Sequence, residues 1–243
     1  MSIKNNFSAL KLLANEPIDF LEENGTLSFQ LIPPSVRDIF FNYDLSWFIN
    51  FLDTDLEEIK KNITGYEVNS HYDFIIMACT LAEKREEIKE LKDGFLSSLQ
   101  ILIPGISFSN KFLKIDNEIF IKEYFDEIIE ILFKILKKEK IVIKDTDDDF
   151  TKKTKEMKLK AQRIRRNSKK EKEESGITID QILIMIIEKF PQYKLSDLFD
   201  LNIYTFYYLF EYVGRIEQYE VSKIAYATGN TKKGYKLKHF IDK

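Results

Sequence analysis

The spacing of apolar residues changes several times along the chain, and each change marks an element. Ile18-Asp19-Phe20-Leu21 and Leu27-Ser28-Phe29-Gln30-Leu31 flank Asn24-Gly25, a pair that tolerates the positive φ of a tight turn, so two strands of a β-hairpin are predicted. Past Pro33-Pro34-Ser35, the residues Val36, Ile39, Phe40, Tyr43, Trp47 and Phe48 recur at helical spacing, and this face is expected in the core. Asp53 or Thr54 is placed to cap a short helix through Lys61, and Ser70 to cap another through about Ala82 that carries Phe74, Ile75, Met77 and Leu81. A further helix is expected from about Arg85 to Leu102.

After Pro104-Gly105 the period shortens again. Phe112-Leu113-Lys114-Ile115 and Glu118-Ile119-Phe120-Ile121 straddle Asp116-Asn117 and predict a second hairpin. Tyr124, Ile128, Ile131, Leu132, Ile135 and Leu136 then form a helical stripe able to cover it. From Ile177, the series Ile179, Ile182, Leu183, Ile186 and Ile187 suits a buried helix, Pro191 interrupts it, and 204–226 suits a longer aromatic helix ending near Gly229. The fold class is therefore α+β, mostly α.

Charge divides the chain more sharply than hydrophobicity. Residues 1–140 carry 16 basic and 24 acidic groups, whereas 151–174 carry 11 basic and 4 acidic. This contrast predicts an acidic, mostly helical domain with hairpins at 1–140, a charged linker or exposed helix at 141–176, and a small aromatic-rich helical module at 177–243. The net charge of the whole, −3, makes no general case for binding nucleic acid or membrane. No apolar run is long enough to span a bilayer, which points to a cytoplasmic protein.

Candidate chemistry is sparse. One cysteine, Cys79, and two histidines, His71 and His239, exclude a disulfide or a Cys/His zinc site built within the chain. Cys79 stands among Phe74-Ile75-Ile76-Met77-Ala78 and is expected to be a buried structural thiol. Asp145, Asp147, Asp148 and Asp149 lack the glycine and distal glutamate of a calcium loop, so no metal site is expected. With no phosphate loop, dinucleotide fingerprint, acid/base pair or triad, neither a cofactor nor catalytic residues are predicted, and the protein is expected not to be an enzyme.

Two segments remain as binding candidates. The run that includes Arg163, Arg165, Arg166, Lys169 and Lys170 has the charge to contact phosphates, but it lacks the interleaved aromatics of a single-strand binder. A nucleic-acid-binding regulator is therefore a secondary reading. Tyr204, Phe206, Tyr207, Tyr208, Phe210, Tyr212 and Tyr219 form the densest aromatic series, spreading too far round a helix for all to face one core. Tyr204, Tyr207, Tyr208, Phe210, Arg215 and Tyr219 are the candidate protein-binding residues.

The stretch Leu201-Asn202-Ile203-Tyr204-Thr205-Phe206-Tyr207, followed by Arg215-Ile216-Glu217-Gln218-Tyr219 and Lys236-Leu237-Lys238-His239-Phe240, resembles the end of tail assembly chaperones from phages of low-GC Gram-positive bacteria. The resemblance covers roughly 176–241. It implies a non-enzymatic tail assembly chaperone or tail structural protein in the host cytoplasm or on the virion, with a tape-measure or tail-tube protein as partner. A phage-encoded inhibitor of a host protein would use the same kind of surface.

Overall fold

The computed structural model describes residues 3–22, 27–61, 66–137 and 178–231, together with Leu237 and His239. The first sheet is a three-stranded antiparallel meander of β1 (Ile3–Asn5), β2 (Ile18–Glu22) and β3 (Ser28–Leu31). The predicted antiparallel pairing of the two strands is present, with Phe20 opposite Phe29 and their rings stacked at 4.9 Å, while the predicted Asn24-Gly25 turn lies outside the described residues. The pattern left out β1, which is only three residues long, and the short helix α1 (Ala9–Leu13), which Ser8 caps. Ile18, Phe20, Phe29 and Leu31 point inward while Leu21, Ser28 and Gln30 face solvent, the alternation that a one-sided sheet requires.

Asn42 splits the helix expected across 36–48. It ends α2 (Val36–Phe41) with extended backbone at φ −95° and ψ 105°, and its side chain accepts a hydrogen bond from Leu45 N at 3.0 Å to start α3 (Tyr43–Asp53). The break rotates the two halves out of one stripe. Leu45, Phe48, Phe51 and Leu52 enter the core, whereas Phe40 and Tyr43, expected there, are exposed. The helix after it, α4 (Leu56–Lys61), begins later than anticipated: α3 runs through Asp53, Thr54 closes it, and Asp55 accepts from Glu57 N at 3.1 Å.

Helix α5 (His71–Ala82) has its Ser70 cap, with Asp73 N donating to the hydroxyl at 3.1 Å. A single 3₁₀ turn at Glu86–Ile88 leads into α6 (Lys89–Leu102). Helices α3, α5 and α6 pack together around Phe48, Phe51 and Phe95, with Trp47 and Phe74 at their edges. The second sheet joins β4 (Ile106–Ser109), β5 (Phe112–Ile115) and β6 (Glu118–Ile119). Its two turns, Asn110-Lys111 and Asp116-Asn117, carry the positive φ at both central residues that tight hairpins favour. The Asp-Asn turn follows from the pattern; β4 does not, because Lys111 is a poor turn signal.

Helix α7 (Lys122–Ile135) buries Tyr124, Ile128, Ile131, Leu132 and Ile135, as its stripe predicts, and Phe125 in addition. The C-terminal part contains α8 (Ile179–Lys189), the unanticipated short α9 (Leu195–Asp200) and α10 (Ile203–Ala227). Gly229 follows α10 with φ +72°, and Asn230 N donates to Ala225 O at 2.9 Å, the left-handed ending that its glycine signals. Leu183, Ile186, Leu198, Ile203, Phe206 and Val213 belong to the same continuous core as the N-terminal helices.

The joint between the N- and C-terminal parts has a specific chemistry. Pro34 O accepts from Ile203 N at 2.9 Å and Leu201 O accepts from Val36 N at 2.8 Å, so 34–36 and 201–203 meet as one antiparallel bridge. Within it Asn202 is almost fully buried. Its amide donates to Leu12 O at 2.5 Å and Asn15 Oδ1 at 3.0 Å, while its own oxygen caps α10 by accepting from Thr205 N at 2.8 Å. Thr205 Oγ1 donates to the same Leu12 carbonyl at 3.0 Å.

Asn202→Ala removes a helix cap and a buried amide donor together, and is expected to lower stability by roughly 2–3 kcal/mol in urea denaturation. Asn202→Asp keeps the cap acceptor but sets a carboxylate against two oxygens. It is expected to cost at least as much, which distinguishes the donor's contribution from the cap's.

Candidate protein-binding surface

Helix α10 extends for 25 residues and its two ends differ in burial. Its first turn is tied to α1 through Thr205 Oγ1 and the Leu12 carbonyl, and the helix also packs on α2 and α8. Ile203 and Phe206 face that junction and are fully buried. Tyr204, Tyr207 and Phe210 are partly buried, Tyr208 is 39% exposed, Tyr219 is partly buried and Arg215 is exposed. The predicted residues therefore lie on one helix but not on one open face. Further along, Val221, Ile224 and Tyr226, outside the predicted set, are exposed.

Tyr204 and Tyr208 share a ligand from their own chain. The ammonium of Lys137, one residue past the end cap of α7, lies 5.3 Å from the centre of the Tyr204 ring and 5.9 Å from that of Tyr208, and pairs with Glu211 at 2.8 Å. The electron-rich ring faces attract the cation, and Glu211 on the next turn holds it in place. Lys189 of α8 bridges Glu217 and Glu220 at 2.6 and 3.1 Å, and its ammonium is made harder to deprotonate by both hydrogen-bonded carboxylates. Phe190 stacks on Tyr212 at 6.0 Å, and Tyr219 meets His239 at 5.1 Å. Burial alone pushes the Tyr207 hydroxyl pKa upward.

The candidate phosphate contacts Arg163, Arg165, Arg166, Lys169 and Lys170, and the acids Asp145 to Asp149, lie outside the described residues. Among the described residues, no three His, Cys, Asp or Glu side chains converge on a metal-sized site, and no helix is long and apolar enough to cross a membrane. Cys79 is fully buried, and burial pushes its thiol to about 12, as expected for a structural thiol. His71 Nε2 lies 3.0 Å from Thr54 O and its ring packs on Phe51, joining α5 to the end of α3.

An aromatic surface that the pattern missed lies at the α2–α3 elbow. Arg37, Asp38, Phe41, Asn42, Tyr43 and Asp44 line an open hollow of about 420 Å³. Two of the lining residues also touch Phe199 of α9, which meets Phe41 edge-on at 5.3 Å and lies under the Arg37 guanidinium at 5.8 Å. Arg37 also pairs with Asp200 at 3.0 Å, so both parts of the chain meet here. The available signal was Asn42 itself, a capping residue three positions before Leu45, which breaks the helical register and turns Tyr43 outward.

Residues 168–243 match the family model described as YomV second domain, which covers just under a third of the chain. That family is phage-derived, a finding consistent with a phage protein. No curated protein and no solved structure matches.

Buried and exposed rings on α10 are expected to separate cleanly on substitution. Phe206→Ala empties a fully buried site and should cost about 3–5 kcal/mol, while Tyr208→Ala should cost under about 1 kcal/mol; urea midpoints measure both. The hydroxyls of Tyr72 and Tyr124 give a second expectation. Burial is the first cause that pushes each to about 12; the hydrogen bond from Tyr124 to Glu22 adds to its shift, and nearby acids add to that of Tyr72. Their unfolded value is 10.0, so the stability they contribute is complete below that pH and falls as pH rises toward 12. Tyr124→Phe should flatten the decline when urea midpoints are compared from neutral to strongly alkaline pH.

Proposed function

We propose that the protein is a non-enzymatic phage assembly factor, a tail assembly chaperone or tail structural protein that holds another tail protein through aromatic surface. The tape-measure protein is the first candidate partner and the tail-tube protein the second, with the host cytoplasm as the place of action. The observation that carries the reading is the state of α10. Tyr204, Tyr207, Tyr208, Phe210 and Tyr219 keep part of their surface in water although the helix is docked into the core. Tyrosine supplies a large, stiff contact with a polar tip at low entropic cost, which suits an interface anchor.

The Lys137 clamp is compatible with this use. Its side chain and that of Glu211 are 25% and 52% exposed, so the ion pair is weak and a partner ring or carboxylate competes for the same lysine. The phage-derived match over 168–243 supports the phage part of this reading and covers the segment that carries these rings. What a tape-measure protein would gain is cover for its apolar helices before tube subunits enclose them.

The test is co-expression with a fragment of the tape-measure protein encoded by the same phage. The protein is expected to keep that fragment soluble, and the combined change Tyr208→Ser, Phe210→Ser and Tyr219→Ser to remove the effect while leaving the helix content intact. Deleting 176–243 is a poorer test, since Phe206 and Asn202 form part of the common core. A fragment that stays insoluble with the unaltered protein, together with normal tails from phage carrying the triple substitution, would overturn the proposal.

A further inference from the structure

We infer that the α2–α3 elbow is a second protein-docking surface, and that its partner is a basic amphipathic segment of another protein. The sequence Phe40-Phe41-Asn42-Tyr43-Asp44 places rings on both sides of a helix break. Tyr43 is 82% exposed and Phe41 67% exposed. Both rings line the same open hollow, and aromatic side chains gathered around one depression have the composition of an interface centre. The hollow is shallow and wide to solvent, which suits a side chain or helix face better than an enclosed small molecule.

Charge selects the partner. Asp38 and Asp44 line the hollow with Arg37, and the guanidinium of Arg37 is already matched by Asp200 at 3.0 Å. Asp38 accepts from Ser35 N at 2.9 Å and Ser35 Oγ at 2.7 Å in the capping box of α2 but keeps its negative charge, and Asp44 adds a second one beside the rings. That field repels phosphate groups and attracts Lys and Arg, whose cations also bind ring faces. The elbow shows this geometry within its own chain, because Arg37 lies over the Phe199 ring at 5.8 Å. A segment with apolar residues on one side and Lys or Arg at its margins satisfies rings and carboxylates together. The surface does not involve Tyr208, Phe210 or Tyr219, so it stands apart from the tail-partner reading.

The experiment uses the full chain and a short fluorescein-labelled helical Leu/Lys peptide, with its Leu/Glu counterpart as a control, in fluorescence anisotropy at low salt. The Leu/Lys peptide is expected to bind and the Leu/Glu peptide not to. Tyr43→Ser and Asp44→Lys should each weaken binding at least about tenfold, while Val221→Ser, at another exposed apolar site, leaves it unchanged. Unchanged urea midpoints for Tyr43→Ser show that the loss does not come from unfolding. The inference is overturned if neither peptide binds, if both bind equally, or if the elbow variants bind like the unaltered protein. It is also overturned if sedimentation shows a dimer that Tyr43→Ser dissolves, since a second copy would then be the occupant.

Discussion

The side chain of Asn202 is the smallest structure on which the arrangement of the whole chain depends. One end of its amide caps α10 and the other reaches the last turn of α1, at the Leu12 carbonyl. A buried amide that lost either partner would carry the desolvation cost of an unmatched polar group, so the two contacts enforce one relative placement of the N-terminal segment and the final helix. The backbone bridge between 34–36 and 201–203 then orders the Pro33-Pro34 segment against the start of α10. Apolar packing of Phe206 and Ile203 supplies the driving force, which is non-directional; the amide supplies the register.

Aromatic residues serve two purposes that their numbers do not separate. In the N-terminal part, Phe48, Phe51 and Phe95 meet at angles that avoid face-to-face overlap for most pairs, and the stacked Phe20 and Phe29 anchor the first sheet against Phe120. On α10 and at the α2–α3 elbow, rings instead hold cations at their faces: Lys137 over Tyr204 and Tyr208, Arg37 over Phe199. The first use is buried and apolar. The second lies at the margin between the two parts of the chain, where water still competes and the contacts remain exchangeable.

Local signals were easiest to read where one residue's backbone chemistry decides the outcome. Ser70 before α5, Gly229 after α10 and Asp116-Asn117 between β5 and β6 each place a boundary that neighbouring atoms alone enforce. At Asn42 the apolar period runs unbroken through a residue whose side chain caps a new helix, so periodicity alone does not show the break. Periodicity also misses β4 and β1, because short strands exist only through pairing with a partner, and period alone does not reveal that partner. Of the candidate binding residues, the sequence pointed to the correct helix but could not rank its rings, since exposure depends on which elements cover each one.

What the amino-acid sequence determined by itself was the inventory: a mostly helical α+β chain with two antiparallel strand pairs and a long aromatic helix that stops just before Gly229. These follow from interactions within a few residues. Tertiary structure alone decided that Asn202 is a buried joint, that Lys137 sits on Tyr204 and Tyr208, and that Phe41 and Phe199 meet across 158 positions of chain. The reason is physical: burial and ring contact belong to pairs of distant surfaces, and no local propensity encodes which surface a side chain will meet.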